Sequence, residues 1–320
     1  MLVITSAEDV TADVVISALN ERRVHVARID PADIGPELMF SAHIGDHSPA
    51  WGGRLRTPSR DIALEDVWAV YYRRPSPWRF EGLEKQTREF AVAEARHGLS
   101  GLLYNLPNCR YVNHPTNIGR ADFKVAQLQA AARFGLKIPR SLVTNDVTQA
   151  RKFVSEPAIY KSFRGAPTAP EGNVAAIWTQ RITPRDLDDS LSMTAQLFQE
   201  EVHKIADARV TVIGRAVFAS SIITPDGALD WRSGDWDELV YEPIAVPESI
   251  RDRLYEYLDH FGLVFGCFDF AIGAGDGSGQ SPDTWTFIEC NPNGQWGWLP
   301  DSNAMAEAFA DVLLEGWGHE

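Results

Sequence analysis

The sequence predicts an open α/β lobe followed by a longer α+β region, and three observations carry that prediction. The chain opens strand–helix–strand. Its pattern changes at about residues 110–120. Its second half then reads mainly as strands in adjacent antiparallel pairs, with helices between them.

Residues 2–5 (LVIT) form a short buried strand, and Ser6–Asp9 supplies the polar residues of a helix start. Residues 9–20 are an amphipathic helix, and Val24–Ile29 is a second strand ending at Asp30-Pro31. A dinucleotide lobe would place G-x-G-x-x-G after the first strand. None is present, so the lobe has that fold's opening without its phosphate loop. Residues 40–64 alternate between short strands and turns, Val67–Arg74 is a strand stopped by Pro75, and 82–103 has helical period. Asn105–Pro115 reads as an irregular connector.

Beyond Arg120 the elements are helix 122–134, strand 138–144, helix 146–153, strand 158–161 ending on Lys161, and strand 195–202. A hairpin 208–213/216–223 turns at Gly214-Arg215, 250–261 is a helix, and 264–272 pairs with 285–290. There are no internal repeats. At 320 residues the chain is long enough for two domains or more.

A net charge of −14 opposes a broad nucleic-acid surface but leaves room for a local anion site. Three scattered cysteines, Cys109, Cys267 and Cys290, fit neither a disulfide framework nor a CxxC metal site, and read as reduced and buried. No run of 18 apolar residues and no basic-plus-apolar signal stretch is present, so the expected location is the cytoplasm, with no membrane partner.

The chemistry lies in an ordered set of charges. Lys124 lies early on a helix and Lys161 ends a strand. Gln199-Glu200-Glu201-Val202 is followed by Asp207-x-Arg209, and Asp269 on one strand precedes Glu289-x-Asn291 on its neighbour. Glu289 and Asn291, two apart on a strand, aim at the same side. Asp269 interrupts the apolar run CFDFA, where an unpaired carboxylate is costly. Lysines that neutralise phosphates, with Asp, Glu and Asn oxygens for a hard cation, form the set that nucleoside triphosphate and Mg²⁺ require. Each piece alone has a plainer reading, as a solvated lysine or a hydrogen-bonded core carboxylate. The combination in this order is the signal.

Taken together, VITSAEDVTADVVISALN, YYRRP, NHPTNIGRADFKVAQLQAAARFGLKIP, SLVTND, FQEEVHKIADARVTVIG and CFDF…FIECNPNGQW resemble the ATP-grasp superfamily. The finer resemblance is to its ribosomal peptide maturases, the graspetide or microviridin-type macrocyclases. It implies a pre-ATP-grasp α/β lobe over 1–112, a central ATP-grasp subdomain over 113–205 and a C-terminal subdomain over 206–320. It implies an ADP-forming ligase that activates Asp or Glu side chains of a precursor peptide (leader plus acidic core) as acyl phosphates. Attack by a Ser, Thr or Lys side chain then closes ester or amide rings.

ATP and two Mg²⁺ ions are the implied cofactors, and a homodimer is compatible with this type of enzyme. By the same resemblance Lys124 and Lys161 contact phosphates, while Glu200, Glu201 and Val202 form the adenine and ribose hinge, with Asp207 beside them. Arg209 faces the phosphates or the acyl phosphate, and Asp269, Glu289 and Asn291 hold Mg²⁺. Arg232 is either a further phosphate-facing arginine or a surface cation stacked on Trp231. Arg73 and Arg74 either meet the acidic substrate or pair with a neighbouring acidic helix, and only one of two adjacent strand residues can face the site. The phosphate loop Ser162–Asn173 is thin in glycine, with Gly165 and Gly172 alone. A small-molecule ligase of the same superfamily and an inactive nucleotide-binding module are the rival readings.

Overall fold

The computed structural model describes residues 1–45, 48–164, 177–224, 227–234, 238–275 and 281–315. The first lobe contains β1 (Leu2–Ile4), α1 (Val10–Glu21), β2 (Ala27–Ile29), an antiparallel insertion of β3 (Met39–Gly45), β4 (Ser48–Thr57) and β5 (Arg60–Ala63), then β6 (Ala69–Tyr72). Helix α2 (Lys85–Ala95) runs through a π turn at Arg96–Ser100 into the single turn α3 (Gly101–Leu103), and β7 (Arg110–Val112) closes a parallel sheet ordered β2-β1-β6-β7. Asp9 caps α1 by accepting from the Ala12 N–H, which satisfies a donor that the helix itself cannot.

Helices α4 (Pro115–Ala121) and α5 (Lys124–Arg133) lead to a second sheet. It comprises β8 (Ser141–Thr144), β9 (Ala158–Lys161), β10 (Gln180–Ile182) and β11 (Gln196–Glu200), with α6 (Val147–Phe153) on one face. The third sheet is antiparallel, ordered β14-β13-β12-β15-β16. Its elements are β12 (Ala206–Ile213), β13 (Ala216–Ile223), β14 (Val240–Pro243), α7 (Glu248–Phe261), β15 (Phe265–Ile272), β16 (Trp285–Asn291) and α8 (Ser302–Leu314). Helix α7 buries Ile250, Leu254, Tyr257, Leu258 and Phe261 along one stripe, and Gly262 ends it at φ 66°, a conformation glycine adopts freely.

Several elements differ from the sequence expectation. The helix expected over 82–103 is broken by the π turn, and the connector at 105–115 contains β7. The helix expected over 122–134 is α5, while α4 before it and β10, β14 and α8 were not expected. Cys267 and Cys290 are buried thiols, and Cys109 is half-buried. Among the described residues no helix is long and apolar enough to cross a membrane.

Strand β15 is buried at all eight positions because both its faces are covered. Phe268, Phe270 and Ile272 pack with α5 and α7 in one cluster. Phe265 and Cys267 enter a second cluster shared with β1, β6, α1 and α8 of the two ends of the chain. The first lobe and the third sheet therefore share one apolar core, whereas the second sheet has a small core of its own around Phe153, Leu187 and Phe198. At the centre of the shared core Trp296 is fully buried and stacks on Phe309, with centroids 5.0 Å apart.

Trp296→Ala is expected to destabilise the protein by about 3–5 kcal/mol, the usual cost of emptying a large aromatic site. Urea denaturation measures it, and a loss under about 1 kcal/mol would deny the shared core.

Candidate active site

Strands β12, β15 and β16 lie side by side, and their register places Arg209 opposite Asp269 and Asp269 opposite Glu289. Three ionisable residues thus form one row across three strands, where directly paired side chains sit within about 4.5–5.5 Å. Along β15, Phe265 and Cys267 enter the shared core while Asp269 and Ala271 line a cavity. One strand face thus passes from apolar to polar along its length. The register shifts between Asp269 and Phe270, an irregularity of the sort that re-aims side chains near sites.

Arg209 Nη1 donates to both Asp269 oxygens at 2.7 and 2.9 Å. Asn291 Nδ2 donates to Asp269 Oδ2 at 3.3 Å and Glu289 Oε1 at 3.4 Å, so the carboxamide ties the two carboxylates together. Lys124 Nζ pairs with Glu289 Oε2, and Arg232 Nη1 approaches Glu289 Oε1 at 3.3 Å.

Lys124 is held there by Gln127, one turn along α5. The buried Gln127 amide donates to the Cys290 and Ala121 carbonyls at 2.7 and 2.8 Å and accepts from Cys290 N–H at 3.1 Å. Asp230 does the same for Arg232. It caps the 3₁₀ turn Trp231–Ser233, binds Arg232 Nε and Nη2 at 2.9 and 3.0 Å, and accepts from Thr179 Oγ1 at 3.1 Å. Neither Gln127 nor Asp230 had a role in the sequence reading. The Asp-x-Arg spacing was the one available signal for Asp230.

The cavity between the second and third sheets is lined by Lys161, Glu200, Val202, Asp207, Arg232, Asp269 and Glu289. Lys124, Arg209 and Asn291 bond directly to its carboxylates. Glu201 does not line it: Arg181 binds its carboxylate at 2.7 and 2.9 Å, and so ties β10 to the strand end. Trp231 is buried beneath the Arg209 guanidinium, 5.9 Å from ring centre to Cζ, rather than lying on the surface. Arg73 was expected as a substrate contact but is buried, paired with Asp9 at 2.9 Å, whereas Arg74 is exposed. The neighbouring-helix alternative describes Arg73: its partner is the cap of α1. Gly165 and Gly172 of the expected phosphate loop, and Asp276–Gly279, lie outside the described residues.

Electrostatics distinguish the site residues. Burial raises the Glu289 carboxyl, but Lys124, Arg232 and Lys161 outweigh it and hold the group well below the usual carboxylate range. Burial raises Asp269 despite Arg209. Burial also pushes Asp207 up to about 6, against the pull of Lys204 at 2.5 Å. Lys161 is pushed down to about 8, first by burial and then by Lys124 and Arg232, with Glu289 opposing.

The donor set fits magnesium. The Asp269 and Glu289 carboxylates converge with the Asn291 carboxamide, and oxygen donors of this kind suit a hard cation. Such a set leaves positions to water and phosphate oxygens, as Mg²⁺ prefers. Among the described residues Lys161, Lys204 and Arg232 line the cavity, and Lys124 and Arg209 bond to its carboxylates.

Residues 1–119 match the family model of the MvdD pre-ATP grasp domain. No curated protein matches the chain. Among solved structures it is similar to macrocyclase MdnC of Microcystis aeruginosa MRC, bound with precursor peptide MdnA. The identity is 26% and the TM-score 0.84, over 98% of this chain and 99% of that one. It is similar to a RiPP-associated ATP-grasp ligase of Chryseobacterium gregarium in complex with ADP and a leader and core peptide, at 26% identity and TM-score 0.87, over 98% and 96%. Macrocyclase MdnB of Microcystis aeruginosa MRC matches at 27% identity and TM-score 0.80, over 98% and 99%. The architecture is thus the ATP-grasp fold, preceded by an MvdD-type pre-ATP-grasp domain. The resemblance to the ATP-grasp maturases of ribosomal peptides extends over nearly the whole chain.

A lysine with a pKa near 8 makes anion binding depend on pH in the alkaline range. Protonated Lys161 attracts phosphate, so affinity for a non-hydrolysable ATP analogue is expected to fall about tenfold between pH 7 and pH 9. Titration calorimetry measures it. Lys161→Met is expected to bind more weakly at pH 7 and to lose most of the pH dependence.

Proposed function

We propose that the chain is an ADP-forming ATP-grasp ligase that activates Asp or Glu side chains of a ribosomal precursor peptide and closes them into ester or amide crosslinks. The observation that carries the reading is the row Arg209–Asp269–Glu289, flanked by Lys124 and Arg232 and facing Lys161 across the cavity. It sits on a chain whose fold spans the length of macrocyclases seen with precursor peptides.

A peptide carboxylate oxygen attacks the γ-phosphorus of ATP, and the bond to the β,γ-bridging oxygen breaks to release ADP. A hydroxyl or amine of the same peptide then attacks the acyl carbon. Inorganic phosphate leaves, and the nucleophile's proton passes to phosphate or solvent. Two anions must meet in the first step, so the protein's task is positioning and charge stabilisation. Lys124 and Lys161 hold phosphate oxygens, and Arg209 and Arg232 face the charge that shifts toward the leaving group and the acyl phosphate. Glu200 and Val202 line the entrance where a base and ribose would sit, with Asp207 below them. Asp269, Glu289 and Asn291 would hold magnesium, which when bound offsets phosphate charge. No enzyme nucleophile is needed, and His203, exposed beside the strand end, has no assigned step.

Mass spectrometry of an acidic precursor peptide incubated with enzyme, ATP and Mg²⁺ tests the reading. Loss of about 18 Da per bond, the stoichiometry of a condensation that passes through an acyl intermediate, is the expected result. An unmodified peptide with ATP still consumed in the presence of free amino acids would transfer the assignment to a small-molecule ligase.

Glu289→Gln removes a charge at the centre of the row while conserving shape. Peptide-dependent ATP turnover is expected to fall by at least about 100-fold with the thermal melt retained. Turnover within threefold of the parent would overturn the metal assignment, since such a change is worth under about 1 kcal/mol.

A further inference from the structure

The first lobe has no residue among those that line the cavity, yet its most buried charge lies directly against the turn that leaves β16. Arg73 is 1% exposed and Asp9 7%. Arg73 Nε donates to Asp9 Oδ2 at 2.9 Å, Nη1 to the Gly294 carbonyl at 3.2 Å and Nη2 to Gln295 Oε1 at 2.6 Å. Asn293 Nδ2 donates back to the Arg73 carbonyl. Thr5 and the Ala12 N–H complete the coordination of Asp9, and Thr11 donates to Gln295 Oε1 at 3.1 Å. Gly294 packs so tightly on β15 that a Cβ there would lie 2.6 Å from Cys267 Cβ. The turn is thus clamped from both sides. On its far side the Gln295 carbonyl accepts from Arg209 Nη2 at 3.4 Å, and the same guanidinium chelates Asp269.

We propose that the Asp9–Arg73 pair is a positioning element for the phosphate end of the site. It fixes the Gly294–Gln295 turn, whose carbonyl orients Arg209 against Asp269. The pre-ATP-grasp lobe thereby sets the geometry of a charge row it does not enter. Burying an arginine and a carboxylate is costly unless every polar atom is used, and here the fork of the guanidinium is spent on one carboxylate and two atoms of a single turn. A bulky apolar pair would fill the space but could not hold that carbonyl. This inference rests on the nucleotide reading of the site.

The test is a double-mutant cycle between Arg73→Lys and Arg209→Lys. The readout is the affinity of an ATP analogue with an intact γ-phosphate and Mg²⁺, measured by calorimetry, so that no peptide substrate is required. Arg73→Lys keeps the charge and loses the fork. It is expected to weaken binding about fivefold in the parent and by less than about twofold in the Arg209→Lys background, because residues acting through one another are non-additive. Gln295→Ala, which leaves the buried pair intact, is the second variant and is expected to behave in the same way, so a misfolded Arg73→Lys protein leaves the proposal testable. Equal losses in both backgrounds, or folded variants that bind like the parent, overturn it. Absence of analogue binding by the parent protein overturns the nucleotide reading and the positioning role with it, and is distinct from additive losses.

Discussion

Everything at the centre of this molecule depends on taking Arg209 and Asp269 out of water together. Either group buried alone would be heavily penalised, and the pair is tolerated only if its remaining polar atoms are used. The fold supplies most of these partners, leaving Arg209 Nε buried without one among the described residues. Register sets the two side chains opposite each other on β12 and β15, and Trp231 and Trp298 flank the guanidinium at 5.9 Å each. The Asn291 carboxamide joins Asp269 to Glu289, and the Gln295 carbonyl accepts a hydrogen bond from Arg209 Nη2. An ordinary sheet edge could not offer this. The site therefore lies where a strand leaves the shared apolar core, on the same face as that core.

The shared core has a consequence for motion. The first lobe, α5 and the third sheet are joined by continuous packing, and Asn113, next after β7, bonds across the junction, donating to the Phe265 and Pro292 carbonyls and accepting from Val264 and Phe265. Lys124, Arg209, Asp269, Glu289 and Asn291 all ride on that frame. Lys161 and the Glu200–Val202 stretch belong to the second sheet, whose apolar cluster is small and separate. The links across the cavity are polar, such as Thr179 to Asp230. Polar contacts near solvent exchange more readily for water than a packed core does, so relative displacement of the two sheets is cheapest along the cavity itself.

The sequence exposed the site more fully than the framework that holds it. Carboxylates within apolar strands stand out by composition, so Asp269 and Glu289 were legible from two short stretches, and period-two spacing put Asn291 on the correct side. Strands with clear alternation and α7 with its stripe were equally readable. Helix α8 was missed although its exposed Glu307 and Asp311, both bound by Arg22, lie opposite the buried Met305, Phe309 and Leu313, and β7 and β10 were missed because three residues give no period. Arg73 was ambiguous for a different reason: adjacent arginines before a proline look the same whether they meet substrate or a cap. Its partners Gly294 and Gln295 lie more than 200 residues away. The same holds for Gln127 with Cys290 and Asn113 with Pro292, which are separated by 163 and 179 positions. Contacts of that range come from topology, and no local pattern encodes them.

The balance of charge shows why carboxylates suit the phosphate-binding role proposed for this site. Among the described residues five cations, Lys124, Lys161, Lys204, Arg209 and Arg232, line the cavity or bond to its carboxylates, and five carboxylates, Glu200, Asp207, Asp230, Asp269 and Glu289, line it, so no net positive charge is left over. That is far short of the charge on a nucleoside triphosphate, about four negative units near neutral pH. A site of cations alone would bind the polyanion but would itself be poorly stable while empty, since like charges in a low-dielectric cleft repel strongly. Interleaved carboxylates relieve that repulsion, and on the proposed reading they also offer oxygen donors to a divalent ion. Glu289 is shared between Lys124 and Arg232 for this reason. It offsets both charges, and on the proposed reading a magnesium ion bound through its oxygens would leave both cations to the phosphates.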